Sequence, residues 1–200
     1  LPIYFLNVVN GTDLKFGRDI YFTYGPLGYL FYLMKLPGNT IEYWSGIVIW
    51  GIIFLFHLWM LLQLYRLYQK GKIHFWAITA SVCCYLAGYY APTRDNYLLY
   101  LMILAVVLWA KGAKNIVLIP NLLLLLMFFG KFSTFTSGFA FCILFCIFDV
   151  LFRKNWKSIW LFLPGIILMP VCYLVYCPSI KNLFEYVAGI LKISSGWMLT

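Results

Sequence analysis

Between Tyr43 and Tyr176 the sequence is a succession of apolar runs separated by short polar joints, and that alternation decides what the chain can fold into. Of the 200 residues, 64% are hydrophobic and 10% charged. A soluble domain carries about 45–50% apolar and about 25% charged residues. A water-facing surface cannot be built from this stock, so lipid is the expected solvent for most of the chain.

The runs cover about Tyr43–Tyr65, His74–Tyr90, Tyr97–Ala110, Ile116–Phe129, Thr134–Phe152 and Ile159–Tyr176. The expected fold class is all-α, a polytopic transmembrane helix bundle of about six spans plus interfacial helices. The third and fourth runs are short against the roughly twenty residues a bilayer requires, so their ends must snorkel or draw in neighbours. One membrane domain is expected. Residues 1–40 read as an outer loop with an interfacial or re-entrant helix at Leu27–Leu36, ended by Pro37-Gly38-Asn39. Residues 41–177 read as the bundle, and 178–200 as an outer interfacial helix with apolar positions at Leu183, Phe184, Val187, Ile190 and Leu191. A partial seventh span is the competing reading of that tail. The chain opens on Leu1 and shows no signal-peptide pattern, which reads as a piece of a longer chain.

Charge sets the expected orientation. Alternate joints hold Arg66/Lys70/Lys72, Lys111/Lys114 and Arg153/Lys154/Lys157, while the intervening joints hold single cations, Arg94 and Lys131. Basic loops stay cytoplasmic, so the first set is expected inside. The net charge of +9 is then a topology and headgroup signal and implies no nucleic-acid partner. Asp13, Asp19, Glu42, Asp95 and Glu185 fall on the opposite, outer side, and only Asp149 approaches the cytoplasmic end. Chemistry that needs carboxylates is therefore expected at the outer face.

Soluble-enzyme motifs are missing: there is no GxxxxGK[ST], HExxH, GxSxG or paired CxxC. Cys83, Cys84, Cys142, Cys146 and Cys172 lie inside apolar runs and read as small hydrophobes rather than metal ligands. His57 lies mid-span, where a polar side chain should face the bundle interior and find a partner. A hydrogen-bonded packing histidine is the favoured reading, with a proton relay as the alternative. Asp19, Arg94, Asp95 and Lys131 stand at run ends, where they either terminate helices or line one outward cavity. In a cavity, a carboxylate serves as general base toward an acceptor hydroxyl, and Lys or Arg holds a lipid-linked phosphate. Tyr21, Phe22 and Tyr24 read as an interfacial aromatic belt or as stacking surface for sugar or prenyl. A divalent ion near Asp19 and Asp95 is an open option on weak grounds, since the two carboxylates are scattered.

The stretch Phe16–Leu30, FGRDIYFTYGPLGYL, resembles a segment of large bacterial membrane proteins related to the GT-C glycosyltransferase superfamily, of the mannosyltransferase and aminoarabinose-transferase type. Gly130-Lys131-Phe132-Ser133 with Gly138, and Leu191-Lys192-Ile193-Ser194-Ser195-Gly196-Trp197, resemble two later outer segments of that superfamily. The resemblance implies a multi-span enzyme that uses a polyprenyl-phosphate-linked sugar donor at the outer face of a bacterial plasma membrane. Its usual Asp-Glu or Asp-Asp pair in the first outer loop has no match here, and Asp19 is the nearest residue. The resemblance assigns Asp19 or an upstream Asp as base, Asp95 as second carboxylate, Arg18, Arg94 and Lys131 as donor-phosphate ligands, and Tyr21 and Tyr24 to the substrate cavity. A transporter or lipid flippase and a non-catalytic scaffold subunit are the competing functions. The sugar, the acceptor and the oligomeric state are not written in the sequence.

Overall fold

The structure, a computed structural model, describes residues 27–31, 35–90, 94–176 and 179–194. It is all-α: seven α-helices and three short 3-10 helices, with no β-strand among the described residues. In chain order they are η1 (Gly28–Phe31), α1 (Thr40–Gln69), α2 (Phe75–Tyr90), α3 (Arg94–Ala110), η2 (Lys114–Ile116), α4 (Leu118–Gly130), α5 (Phe132–Arg153), η3 (Trp156–Leu161), α6 (Leu163–Tyr176) and α7 (Ile180–Ser194). Each of the six apolar runs therefore carries a helix. Three segments are long and apolar enough to cross a membrane: Thr40–Gln69, Phe132–Arg153 and Trp156–Val175. Large apolar side chains stand exposed along them, among them Leu55, Leu144, Phe152 and Val175. Water would penalise such a surface and lipid does not.

The 30 residues of α1 give a rod of about 45 Å at 1.5 Å per residue, longer than a hydrocarbon core of about 30 Å. By the same measure the 13 residues of α4 reach only about 20 Å. That short helix is nevertheless the centre of the bundle. It packs against α3, α5, α6 and all three 3-10 segments. Nine of its residues are buried, including Asn121, Leu124, Met127 and Phe128. Protein supplies its surroundings, so its length does not have to match the bilayer. Pro120 falls in its first turn, where the missing N–H has no intrahelical partner to lose.

α5 follows α4 after the single extended residue Lys131 (φ −141°, ψ 109°). The two helices approach closely: a Cβ on Gly138 would come within 2.9 Å of Met127 Cε. Phe128 gathers Phe129, Phe132, Phe135 and Tyr186 edge-on around this corner, with ring centroids 5.1–6.2 Å apart. At the other end of α5, Asp149 accepts a hydrogen bond from Asn155 Nδ2 at 2.7 Å and pairs with Arg153 at 3.4 Å. The turn there places Lys154 in the left-handed region, at φ 52°.

The sixth run divides into η3 and α6. Leu163-Pro164 opens the new helix, because Pro tolerates the first turn of a helix and cannot continue one from upstream. Asn121 spans the break. Its Nδ2 donates to Trp160 O and to Val117 O, both at 2.9 Å, and its Oδ1 accepts Gly165 N–H at 2.7 Å. A Cβ on Gly165 would lie 3.1–3.3 Å from Asn121, so the contact needs glycine. Two backbone groups freed by the break, Trp160 O and Gly165 N–H, are thus satisfied inside the apolar region.

Two local expectations are sharpened. Within 27–36 the described helix is only η1, followed by a turn at Pro37-Gly38 in which Asn39 Oδ1 accepts Leu36 N–H at 2.8 Å. In α7 the inward line is Leu183, Tyr186 and Gly189, whereas Phe184 and Leu191 are exposed. α7 docks on α6 through Tyr186 and Tyr173, with ring centroids 6.0 Å apart, and turns its second apolar edge outward.

Candidate functional site: an apolar groove between α1 and α4

On α1, Ile49, Ile52, Ile53 and Phe56 recur at i, i+3, i+4 and i+7. On α4, Ile119, Leu122, Leu123 and Leu126 do the same. Such stripes normally interlock. Here they face each other across open space. One cavity of about 340 Å³ lies between them, with Leu27 and Phe129 in its lining. A second, of about 570 Å³, shares Ile52, Phe56, Ile119 and Leu122 with the first and extends to Trp59 and Asn115. The two form one apolar groove along the bundle, of a size typical for small-molecule sites.

The spacer that holds the stripes apart is η1. Leu27 N–H donates to Phe129 O at 2.7 Å, which pins the segment to the end of α4. Trp50 Nε1–H donates to Leu30 O at 2.7 Å, and Tyr29 and Ser45 share a hydrogen bond of 3.2 Å, which pin it to α1. Burial pushes the Tyr29 phenol above its ordinary value, the Ser45 hydrogen bond offsets part of that rise, and the Glu42 carboxylate adds to it. The end of the Phe16–Leu30 stretch is therefore a wedge at one end of the groove.

Lys131 stands two residues beyond Phe129 at that same end, half-buried, in the joint between α4 and α5. Its carbonyl accepts two N–H groups from the first turn of α5, those of Thr134 and Phe135, both at 3.1 Å. The first turn of α3 is at this end as well, since Tyr97 packs on Trp50 with centroids 6.2 Å apart. Arg94 and Asp95 open α3 by their backbone, and their side chains lie outside the described residues. Arg18, Asp19, Tyr21 and Tyr24 also lie outside the described residues. The structure thus brings together η1, the start of α1, the start of α3 and Lys131. Among the described residues, no three His, Cys, Asp or Glu side chains are grouped as metal ligands.

His57 has its partners. Fully buried in α1, it lies with Nδ1 2.6 Å from Tyr97 Oη of α3 and Nε2 3.2 Å from Ser81 Oγ of α2. Tyr100 O–H donates to the same Ser81 oxygen at 2.5 Å. The rings of Tyr85, Tyr97 and Tyr100 surround the imidazole at 5.1–5.6 Å. Sequence singles out the histidine but not Ser81 or the two phenols, because a Ser in a run and Tyr near run ends are ordinary membrane composition.

The cationic end of the bundle is the other one. The joint after α1 and the joint after α3 meet there: a Cβ on Gly112 would sit 3.8 Å from Lys72 Nζ. Lys70, Lys111, Arg153, Lys154 and Lys157 are exposed. No family model, curated protein or solved structure matches this chain.

Proposed function

We propose that this chain is a multi-pass protein of a bacterial plasma membrane with a glycosyltransferase activity of the GT-C type, transferring a sugar from a polyprenyl-phosphate-linked donor at the outer face. The observation that carries the reading is the groove. It offers an apolar groove with η1 and a lysine near one end, which matches an amphiphile with an apolar chain and an anionic head. In this reading the chain of the donor lies between α1 and α4. Its phosphate is held by Lys131 with Arg94 and Arg18, and Tyr21 and Tyr24 flank the sugar. Asp19, with Asp95 as the second carboxylate, takes the proton from the acceptor hydroxyl as its oxygen attacks the anomeric carbon. The bond from that carbon to the phosphate oxygen breaks, and the leaving phosphate keeps the electron pair beside the cations. The basic joints put the opposite end in the cytoplasm.

The test is transfer from a radiolabelled polyprenyl-phosphate hexose in proteoliposomes. Asp19→Asn is expected to abolish transfer, Lys131→Ala to reduce it by about 100-fold, and Leu122→Trp, which fills the groove, to raise KM. Undiminished transfer in all three variants refutes the assignment. Because the groove runs on toward Asn115 at the far end, a lipid flippase is the second reading. It predicts movement of the intact donor between leaflets without release of its sugar.

A further inference from the structure

α2 lies at the edge of the bundle, against α1 and α3. Of residues Phe75–Leu86, whose side chains the structure describes, Ser81 alone is buried, at 2% exposure. Lipid gives an apolar helix no hydrophobic reward for docking, so such a helix stays in place through close packing and interhelical hydrogen bonds. Trp76, Val82 and Leu86 of α2 are exposed, and Phe75, also exposed, meets Tyr68 of α1 edge-on. Tyr85 packs edge-on against Phe54 and His57 of α1, and Ser81 is the residue whose oxygen bonds both neighbouring helices, at His57 of α1 and Tyr100 of α3.

Either uncharged tautomer of His57 fills the three bonds and leaves one hydroxyl proton over. An uncharged imidazole has one N–H and one bare nitrogen. A proton on Nδ1 would occupy the Tyr97 oxygen and leave the Tyr97 O–H with no acceptor among the described residues. With the proton on Nε2, Tyr97 O–H donates to Nδ1, Nε2–H donates to Ser81 Oγ, and Tyr100 O–H donates to that same oxygen. The Tyr97, Tyr100 and imidazole donors are then used, and the Ser81 O–H is the one left over. No described Asp, Glu, Lys or Arg side chain bonds this cluster from α1, α2 or α3.

We propose that Ser81 is a latch: its two hydrogen bonds hold α2 against α1 and α3, and breaking them lets α2 swing about the Lys70–His74 joint and open a lipid-facing cleft over His57. The joint suits a pivot, since it is a non-helical turn around Gly71 at φ +67°. The latch is independent of the transferase reading and is tested without any substrate.

The experiment is electron–electron double resonance on the full chain in nanodiscs. Nitroxides are carried on p-acetylphenylalanine at Leu55 of α1 and Leu86 of α2, both lipid-facing and at a similar distance from the joint. The parent should give one narrow distance. Ser81→Ala should add a longer, broad component, raising the open population by roughly 3–18-fold for each bond lost. Ser81→Thr, which keeps the hydroxyl, and Thr79→Val, which removes one that bonds only within α2 at Phe75 O, should both stay narrow. A Ser81→Ala distribution that superimposes on the parent overturns the latch. So does a Thr79→Val distribution as broad as that of Ser81→Ala. Selective ¹⁵N-histidine labelling reports on just two residues, His57 and His74. It should show His57 held in one fixed uncharged tautomer by its two bonds, and exchange-averaged tautomers in the parent overturn the fixed bonding of the latch.

Discussion

Replacing Asn121 by Leu keeps the size of the side chain and removes its amide. Two of the three Asn121 hydrogen bonds cross between elements, to Trp160 O and from Gly165 N–H, and the third stays within α4 at Val117 O. An interhelical hydrogen bond in a membrane contributes about 0.6 kcal/mol on average and about 1.7 at most, so the two crossing bonds account for about 1.2–3.4 kcal/mol. Gly165 is the third residue of α6, and its N–H has no partner in its own helix. Losing its acceptor inside the apolar region brings an orphaned-donor cost of about 1–3 kcal/mol, which overlaps with the first figure. We expect Asn121→Leu to destabilise the bundle by about 2–4 kcal/mol. The assay is steric-trap unfolding in bicelles. Gly165→Ala presses on the same contact, since its Cβ would approach Asn121 to 3.1–3.3 Å. The double variant should therefore cost less than the sum of the singles. A loss below about 0.5 kcal/mol for Asn121→Leu, or strict additivity with Gly165→Ala, refutes the view that this amide joins α4 to α6.

Trp50→Phe removes the hydrogen bond to Leu30 O while retaining an aromatic ring. It should cost about 1 kcal/mol and speed proteolysis around η1, and unchanged proteolysis contradicts the wedge. Asp149→Ala strips the acceptor from Asn155 Nδ2 at the end of α5 and should cost about 1.5–3 kcal/mol by the same unfolding assay. Single cysteines at Asp95 and Lys154 should react with impermeant maleimide from opposite sides of sealed vesicles. Reaction of both from one side refutes the orientation.

The helices were legible because each apolar run is bounded by charge or by Pro and Gly, and burial in lipid leaves no other backbone solution. The gathering of η1, the start of α3 and Lys131 at one end follows from the same alternation of joints. The groove was not legible. Ile52 and Phe56 on α1, or Leu122 and Leu126 on α4, look the same in sequence whether they face lipid, protein or empty space. What holds them apart is the docking of Leu27 and Leu30, bonds made by backbone atoms that carry no sequence signature. Asn121 was visible only as part of a Pro-Asn pair near a run start, because its partners lie 39 and 44 residues away. In α7 the apolar positions Leu183, Phe184, Val187, Ile190 and Leu191 mark one face; Leu183 is buried and Val187 packs on the core, while Phe184 and Leu191 are exposed. The structure also buries Tyr186, whose ring fills the corner beside Phe128 and Tyr173.

The groove is tested most directly by photolabelling the protein in vesicles with a diazirine-bearing polyprenyl phosphate and mapping the adducts by mass spectrometry. Adducts should concentrate on Ile52, Phe56, Leu122 and Leu126, compete with unlabelled polyprenyl phosphate, and disappear in Leu122→Trp. Adducts spread equally over the outward-facing Leu144 and Val175, and unchanged in Leu122→Trp, would contradict a lipid-chain site between α1 and α4.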